Sequence, residues 1–253
     1  MKKCLLPVLV FTGALLISVK SRPAVNSQPG LLDSLKTEQL IIVVTDNWNS
    51  IRAGLYCFEK IKGKWQLQFS FPAVVGKNGM ALGEGIRPVQ IPRAPVKAEG
   101  DMKSPAGLFN LGPAFGYAEK SQAQWIHIPY LRATDTLICI DDLNSRYYNG
   151  LINTGSVQSD WKSHEDMHRR DDEYKWGLFI QHNDHPVKKG KGSCIFLHIW
   201  EGAGEGTAGC TAMEEKNILK LLHWIRAQKH PILVQYPRSE YINLHAGYQL
   251  PDL

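Results

Sequence analysis

Hydrophobic residues along the chain fall in short runs, and most of these runs predict β-strands. Residues 40–45 predict a strong strand, in which an unbroken apolar run over residues 40–44 precedes Thr45, as in a strand buried on both faces. Residues 53–59 and 65–70 alternate apolar and polar side chains around a turn at 62–64, which predicts a hairpin. Further strands are predicted at residues 125–129, 137–140, 176–180, 194–198 and 232–236.

One segment has helical periodicity. In residues 214–228, Ile218, Leu221, Leu222 and Ile225 repeat at the spacing of a single helix face. Residues 72–95 are rich in Gly and Pro and predict loop with at most short strands, and the polar residues 160–173 predict a helical turn or a lid. Many short strands with one long helix predict a mainly β fold, a sandwich or barrel-like domain.

The first residues have the pattern of a secretory signal peptide. Residues 1–3 are basic at two positions, and residues 4–19 are almost purely apolar. We expect a signal peptide over residues 1–21, with cleavage as late as about residue 27; an uncleaved anchor is the alternative. Residues 22–39 are expected to be a linker with a short helix, and residues 40–253 a single β-rich catalytic domain. The expected location is the periplasm or cell envelope, without stable membrane insertion after cleavage.

Composition excludes few classes of partner. The chain has 253 residues, is 43% hydrophobic and carries a net charge of +5, so it has enough apolar residues to bury a core. Its Lys and Arg residues are scattered and do not alternate with aromatic residues, so we predict no nucleic-acid binding. The positive charge is equally compatible with an anionic polymer of the cell envelope.

Four cysteines follow the signal-like segment, namely Cys57, Cys139, Cys194 and Cys210. An even number in an exported chain permits disulfides, but the pairing of the first three stays open. No Cys or His cluster has the spacing of a zinc site. We therefore predict neither a metal nor another cofactor.

Cys210 and His198 are the candidate catalytic pair. His198 ends a predicted strand, and Cys210 follows Gly209 just before the predicted helix. A helix N-terminus behind a thiol lowers its pKa, and a nearby histidine can act as its base. The alternative is a buried structural cysteine with an unrelated surface histidine. The glycine and the helix start favour the catalytic interpretation.

Three segments around this pair resemble the L,D-transpeptidase catalytic (YkuD-like) family. Residues 207–210 read Thr-Ala-Gly-Cys, residues 100–109 read Gly-Asp-Met-Lys-Ser-Pro-Ala-Gly-Leu-Phe, and residues 192–198 are similar to the strand that carries the family's histidine. The resemblance extends over about residues 67–236. The chain departs from the common pattern at Ala208, where His is usual, and at Ala212, where Arg or Asn is usual. It is therefore expected to be a divergent branch.

The resemblance implies an enzyme of peptidoglycan stem peptides. Cys210 would attack the carbonyl of the third stem residue, release D-Ala and pass the acyl group to a neighbouring amine, making a 3–3 crosslink. Transfer to water would instead make an L,D-carboxypeptidase. The sequence is also compatible with a non-catalytic wall-binding module and with a cysteine peptidase of unrelated fold. The oligomeric state stays open.

The same resemblance implies roles for residues around the pair. The N–H groups of Gly209 and Cys210 would form the oxyanion hole, and the carbonyl of Ile199 would hold the His198 ring. The remaining candidates, for contact with substrate, are Thr207, His182 and Trp200.

Overall fold

The computed structural model describes residues 31–253, so the predicted signal peptide lies outside the described residues. Three α-helices are present in that range: α1 (Leu31–Ser34), α2 (Glu215–Trp224) and α3 (Arg238–Tyr248). The strands are β1 (Gln39–Thr45), β2 (Arg52–Ile61), β3 (Lys64–Val74), β4 (Met80–Leu82), β5 (Ser104–Gly116), β6 (Tyr130–Arg132), β7 (Leu137–Cys139), β8 (Leu151–Asn153), β9 (Glu165–Asp166), β10 (Trp176–Ile180), β11 (Phe196–Ile199), β12 (Thr211–Met213) and β13 (Ile232–Pro237).

The main sheet closes on itself. Its strand order is β10-β11-β12-β3-β2-β1-β13-β5-β4, and β5 also pairs with β10. The N-terminal half of β5 bonds to β13 and its C-terminal half to β10, which completes the ring. The predicted barrel-like, mainly β fold is therefore confirmed. A separate small sheet, in the order β8-β7-β9, lies beside the barrel.

Burial explains the strongest strands. All seven residues of β1 are buried, as its unbroken apolar run predicts, and β13 pairs with it in parallel. The hairpin of β2 and β3 forms as predicted, because Lys62 and Gly63 both adopt the positive φ that a two-residue hairpin turn requires. The buried face of α2, including Leu221 and Leu222, packs into the same core.

Several elements of the structure differ from the sequence-based prediction, which does not include the strands β5, β6, β8 and β9. Residues 125–129 form turns and one isolated bridge rather than a strand, since Trp125 stacks on His223 and Pro129 has no N–H for a ladder. Helix α2 ends four residues early, at Trp224, because Ile225 is extended. The sequence pattern does not predict strand β12 or helix α3, because β12 has only three residues and the amphipathic pattern of α3 is weak.

Within residues 31–253, no helix has the length and apolar character needed to cross a lipid bilayer.

A disulfide joins Cys139, at the end of β7, to Cys194, just before β11. The bond ties the small sheet to the strand that carries His198. Cys57 and Cys210 are both free thiols and both buried. The open question of pairing is thus answered in favour of Cys139 with Cys194.

We expect loss of this disulfide to destabilise the fold. The two cysteines are 55 residues apart, and closing a loop of that length lowers the entropy of the unfolded chain. The double variant Cys139→Ser/Cys194→Ser should lose about 2–4 kcal/mol of unfolding free energy in urea titrations. Dithiothreitol should destabilise the wild type by a similar amount and leave the double variant unchanged. If dithiothreitol leaves the urea unfolding midpoint of the wild type unchanged, the disulfide is contradicted.

Candidate active site

The pairing of β11 with β12 sets the positions of His198 and Cys210. The two strands run parallel, with Leu197 opposite Thr211 and His198 opposite Ala212. Cys210 directly precedes β12, so it lies level with Phe196, two residues before His198. Side chains two residues apart on a strand share a face. The register therefore brings the thiol and the imidazole to the same side of the sheet.

Backbone groups of the neighbouring strand hold the thiol. The N–H of Phe196 donates to Cys210 Sγ at 3.3 Å, and the Cys210 S–H donates to the carbonyl of Cys194 at 3.6 Å. The side chain of Cys210 and the imidazole of His198 both line one cavity of about 280 Å³. Cys210 is 7% exposed and His198 is 4% exposed. A substrate must therefore enter the cavity to reach either side chain.

Two hydroxyl groups fix the backbone of Cys210. Ser104 Oγ, at the start of β5, and Thr207 Oγ1 each donate to the carbonyl of Cys210 at 2.6 Å. Thr207 Oγ1 also accepts the N–H of Gly209 at 3.1 Å. That N–H is occupied in the resting structure, so an oxyanion role for Gly209 requires this bond to open and stays a prediction. At rest Gly209 supplies the turn, at φ +150°, where glycine is favoured.

His198 is held as a neutral ring. Its Nδ1 lies 2.7 Å from the carbonyl of Ile199, and because a carbonyl only accepts, Nδ1 carries the proton. The other ring nitrogen, Nε2, is then the basic one. Burial lowers the pKa of His198 to about 4. The ring of Tyr174 packs edge-on against the imidazole, at 5.2 Å between centroids.

The thiol of Cys210 is neutral as well, which corrects the sequence-based expectation. Burial raises its pKa to about 12, although the N–H of Phe196 and the charge of Lys97 act in the lowering direction. Helix α2 begins at Glu215, and strand β12 separates it from Cys210. The helix N-terminus is thus five residues away along an extended segment and does not activate the thiol.

A group of charged side chains beside His198 is absent from the sequence-based prediction. Glu173 Oε2 lies 4.0 Å from His198 Nδ1, and the N–H of Ile199 donates to the Glu173 carbonyl. Arg169 binds Asp171 through two nitrogens and Glu165 through a third. A signal for Glu173 does exist, because it precedes the strong strand β10, which pairs with β11.

Two of the predicted substrate contacts lie elsewhere. His182 is buried, donates from Nε2 to the Lys191 carbonyl at 2.9 Å and lines a different cavity of about 200 Å³. Burial lowers its pKa to about 4. The backbone N–H of Trp200 donates to the Met213 carbonyl at 2.9 Å, and Trp200 does not line the cavity of Cys210. Of the three, only Thr207 borders Cys210.

Two polar segments near the site, the one around Asp142 and residues 160–173, have different structures. Asp142 accepts the N–H groups of Asn144 and Lys162, so the segment that follows β7 is an Asx turn. In the segment at 160–173, Met167 is buried in the core. Glu165 lines the cavity, so that segment forms a wall of the site.

No group of three or more His, Cys, Asp or Glu residues suited to a metal ion occurs in the described part of the chain.

Comparisons with known proteins identify a family and a similar solved structure. The family model for the L,D-transpeptidase catalytic domain (YkuD) matches residues 55–234. No curated protein matches the chain. Among solved structures, Bd1075 of Bdellovibrio bacteriovorus aligns with a TM-score of 0.42 and 16% sequence identity. The alignment covers 84% of this chain and 54% of that one, so the chain spans about half the length of Bd1075.

We expect the buried His198 to make the protein sensitive to acid. The unfolded state binds a proton at His198 near pH 6.5, whereas the folded state does so only near pH 4, so stability falls as the pH drops through that window. Between pH 7 and 4.5, the wild type should lose about 2 kcal/mol more unfolding free energy than His198→Gln in urea titrations. The variant of the exposed His185, His185→Gln, should behave as the wild type. Equal losses in wild type and His198→Gln refute the buried neutral ring.

Proposed function

The chain belongs to the L,D-transpeptidase catalytic-domain family, and we propose that it is a cysteine acyltransferase acting on peptidoglycan stem peptides. Membership of the family supports an L,D-transpeptidase-type activity in peptidoglycan metabolism. The observation that carries the proposal for this chain is the shared cavity of Cys210 and His198, in which the imidazole is anchored through Nδ1. That arrangement leaves Nε2 as the base for the thiol.

The chemistry begins with formation of a thioester. His198 Nε2 takes the proton of the Cys210 thiol as sulfur bonds to the carbonyl carbon of the third stem residue. The carbonyl π electrons move to oxygen, which gives a tetrahedral intermediate. When this intermediate collapses, the bond to the D-Ala nitrogen breaks, and the imidazolium returns its proton to the leaving amine. The acyl group remains on Cys210.

A second half-reaction regenerates the enzyme. An amine of a neighbouring stem attacks the thioester carbonyl, and His198 accepts the proton that this amine loses. The bond to sulfur breaks, and the proton returns to the Cys210 thiolate. The product is a 3–3 crosslink. The same sequence with water in place of the amine releases a tripeptide, which is the carboxypeptidase alternative.

The fixed backbone at Cys210 supports a nucleophilic role. Donation from Ser104 and Thr207 to one carbonyl immobilises the residue from two independent segments of the chain. Catalytic groups act best when their geometry is set before the substrate arrives. A buried structural cysteine needs no such hydroxyl pair.

We further propose that the protein works outside the cytoplasm, in the cell envelope. The Cys139–Cys194 disulfide supports an oxidising compartment. The signal-like pattern of residues 1–21 agrees with that location. The substrate, peptidoglycan, is found in the same compartment.

Thiol chemistry provides the first test. Cys57 and Cys210 are both free and buried, but only Cys210 faces a cavity with a histidine. A carbapenem should therefore acylate Cys210 and leave Cys57 unmodified in peptide mass mapping. Cys57→Ala should keep the adduct, whereas Cys210→Ala and His198→Ala should lose it. An adduct that survives Cys210→Ala excludes this nucleophile.

Turnover provides the second test. With purified disaccharide-tetrapeptide muropeptides, we expect the wild type to release D-Ala and form 3–3 dimers, resolved by liquid chromatography and mass spectrometry. Activity should fall by at least about 10³-fold in Cys210→Ala, since both half-reactions pass through its sulfur. Tripeptide without dimers assigns the carboxypeptidase alternative. Unchanged tetrapeptide, from protein that still forms the carbapenem adduct, rejects both activities.

A further inference from the structure

Lys97 carries a buried positive charge to the cavity that holds Cys210. The residue lies in the segment between β4 and β5, is 4% exposed and lines the cavity. Its side chain passes between two glycines. A methyl group added at Gly192 would lie 2.9 Å from Lys97 Cε, and one added at Gly209 would lie 3.9 Å from Lys97 Nζ. The ammonium group is therefore beside the residue that precedes the nucleophile.

The bonding of the ammonium group leaves it a free donor. Lys97 Nζ donates to the Ala98 carbonyl at 2.9 Å and to the carboxylate of Asp101. Within residues 31–253, its third N–H has no acceptor. Asp101 also accepts the N–H groups of Ala98 and Lys103, so its negative charge is shared among three donors. Asp101 thus holds the ammonium in place without saturating it.

Carboxylates face Cys210 from the other walls. Glu165 comes from β9, Glu173 from the segment before β10, and both disfavour the thiolate. Asp141, just after β7, and Glu99, from the same segment as Lys97, line the cavity too. Glu99 accepts hydrogen bonds from Tyr148 and Ser193.

The other cation that lines the cavity, Arg169, is paired with carboxylates, with Glu173 among them at 3.6 Å. Arg169 is bound to Asp171 and Glu165, and His198 and Tyr174 are neutral at rest. Among the described residues, Lys97 is the cavity-lining cation whose charge favours the thiolate of Cys210.

We propose that Lys97 is the electrostatic partner of Cys210, whose ammonium charge stabilises the thiolate as the proton moves to His198. The step transfers one proton from sulfur to Nε2 and needs no other reactant. A charge in a site that excludes water acts more strongly than one in solvent, so a fixed cation beside the sulfur is effective there. The inference rests on the proposed function only in taking Cys210 as the nucleophile.

The competing interpretation is that Lys97 and Asp101 form a purely structural ion pair. Two variants, Asp101→Asn and Lys97→Met/Asp101→Asn, distinguish the electrostatic role from the structural one. Both lack the ion pair, but only the double variant lacks the Lys97 ammonium group. Asp101→Asn keeps the Lys97 charge beside Cys210. Lys97→Met/Asp101→Asn removes it. In both variants the amide oxygen can replace only one of the two carboxylate oxygens that accept the N–H groups of Ala98 and Lys103, so the loss of one such bond is common to both. A structural role predicts the same behaviour for both variants.

The measurement is the rate at which iodoacetamide alkylates Cys210 as a function of pH. It is made in the Cys57→Ala background by intact mass spectrometry, with folding verified by near-ultraviolet circular dichroism. We expect Asp101→Asn to react at or above the wild-type rate. The double variant should have its profile displaced upward by about one pH unit, which is about tenfold slower alkylation below the midpoint. Coincident profiles for the two variants overturn the proposal.

Two further variants complete the design. Lys103→Met removes a charge from the same loop outside the cavity and should keep the wild-type profile; an equal displacement in Lys103→Met reduces the effect to net charge and overturns the proposal. If the double variant does not fold, Lys97→Gln replaces it. Its alkylation profile should also lie about one pH unit above that of Asp101→Asn. Because alkylation requires no turnover, its outcome is independent of whether the muropeptide assay supports the proposed function.

Discussion

The closure of the barrel by β5 is the constraint on which the rest of the structure depends. This 13-residue strand bonds to β13 through its first half and to β10 through its second half. Without it, the sheet would present two long edges and an open core. Because β10 pairs with β11, which pairs with β12, closure also fixes the two strands that position His198 and Cys210.

The closing strand contacts the nucleophile directly. Ser104, the first residue of β5, accepts the N–H of Gly76 and donates to the carbonyl of Cys210, 106 positions further along the chain. Local disturbance of β5 therefore reaches the catalytic loop through a single buried hydroxyl. Removing one partner of a buried hydrogen bond leaves the other unsatisfied, which is costly. Fold and site are coupled at this residue.

The sequence predicts the elements whose signals are local. The buried runs at β1, β10 and β13 and the positive-φ turn of the β2–β3 hairpin need no tertiary information. The sequence predicts Cys210 and His198 as a pair because the two short motifs that contain them lie close together along the chain. Strand β12 escapes prediction, since three residues pair in parallel only once β11 is in place. Lys97 escapes it as well, because its position depends on room left by Gly192 and Gly209, which are distant in sequence.

The expectation that the N-terminus of α2 lowers the pKa of Cys210 is wrong for a physical reason. A thiol beside a helix N-terminus is activated at rest, but a thiol buried before a strand is neutral until a base removes its proton. Cys210 and His198 are both uncharged at rest, so in the proposed mechanism the transfer of the proton to His198 coincides with attack on the substrate. Such a nucleophile is protected from adventitious oxidation, which proceeds through the thiolate.

The two departures from the family pattern, Ala208 and Ala212, lie in different surroundings. Ala212 is fully buried in β12, paired with His198 on one side and with β3 on the other. An alanine side chain carries no charge, so this position supplies no cation to the cavity. Ala208, in contrast, lines the cavity. The cations that line the cavity, Lys97 and Arg169, come from two separate loops of this chain.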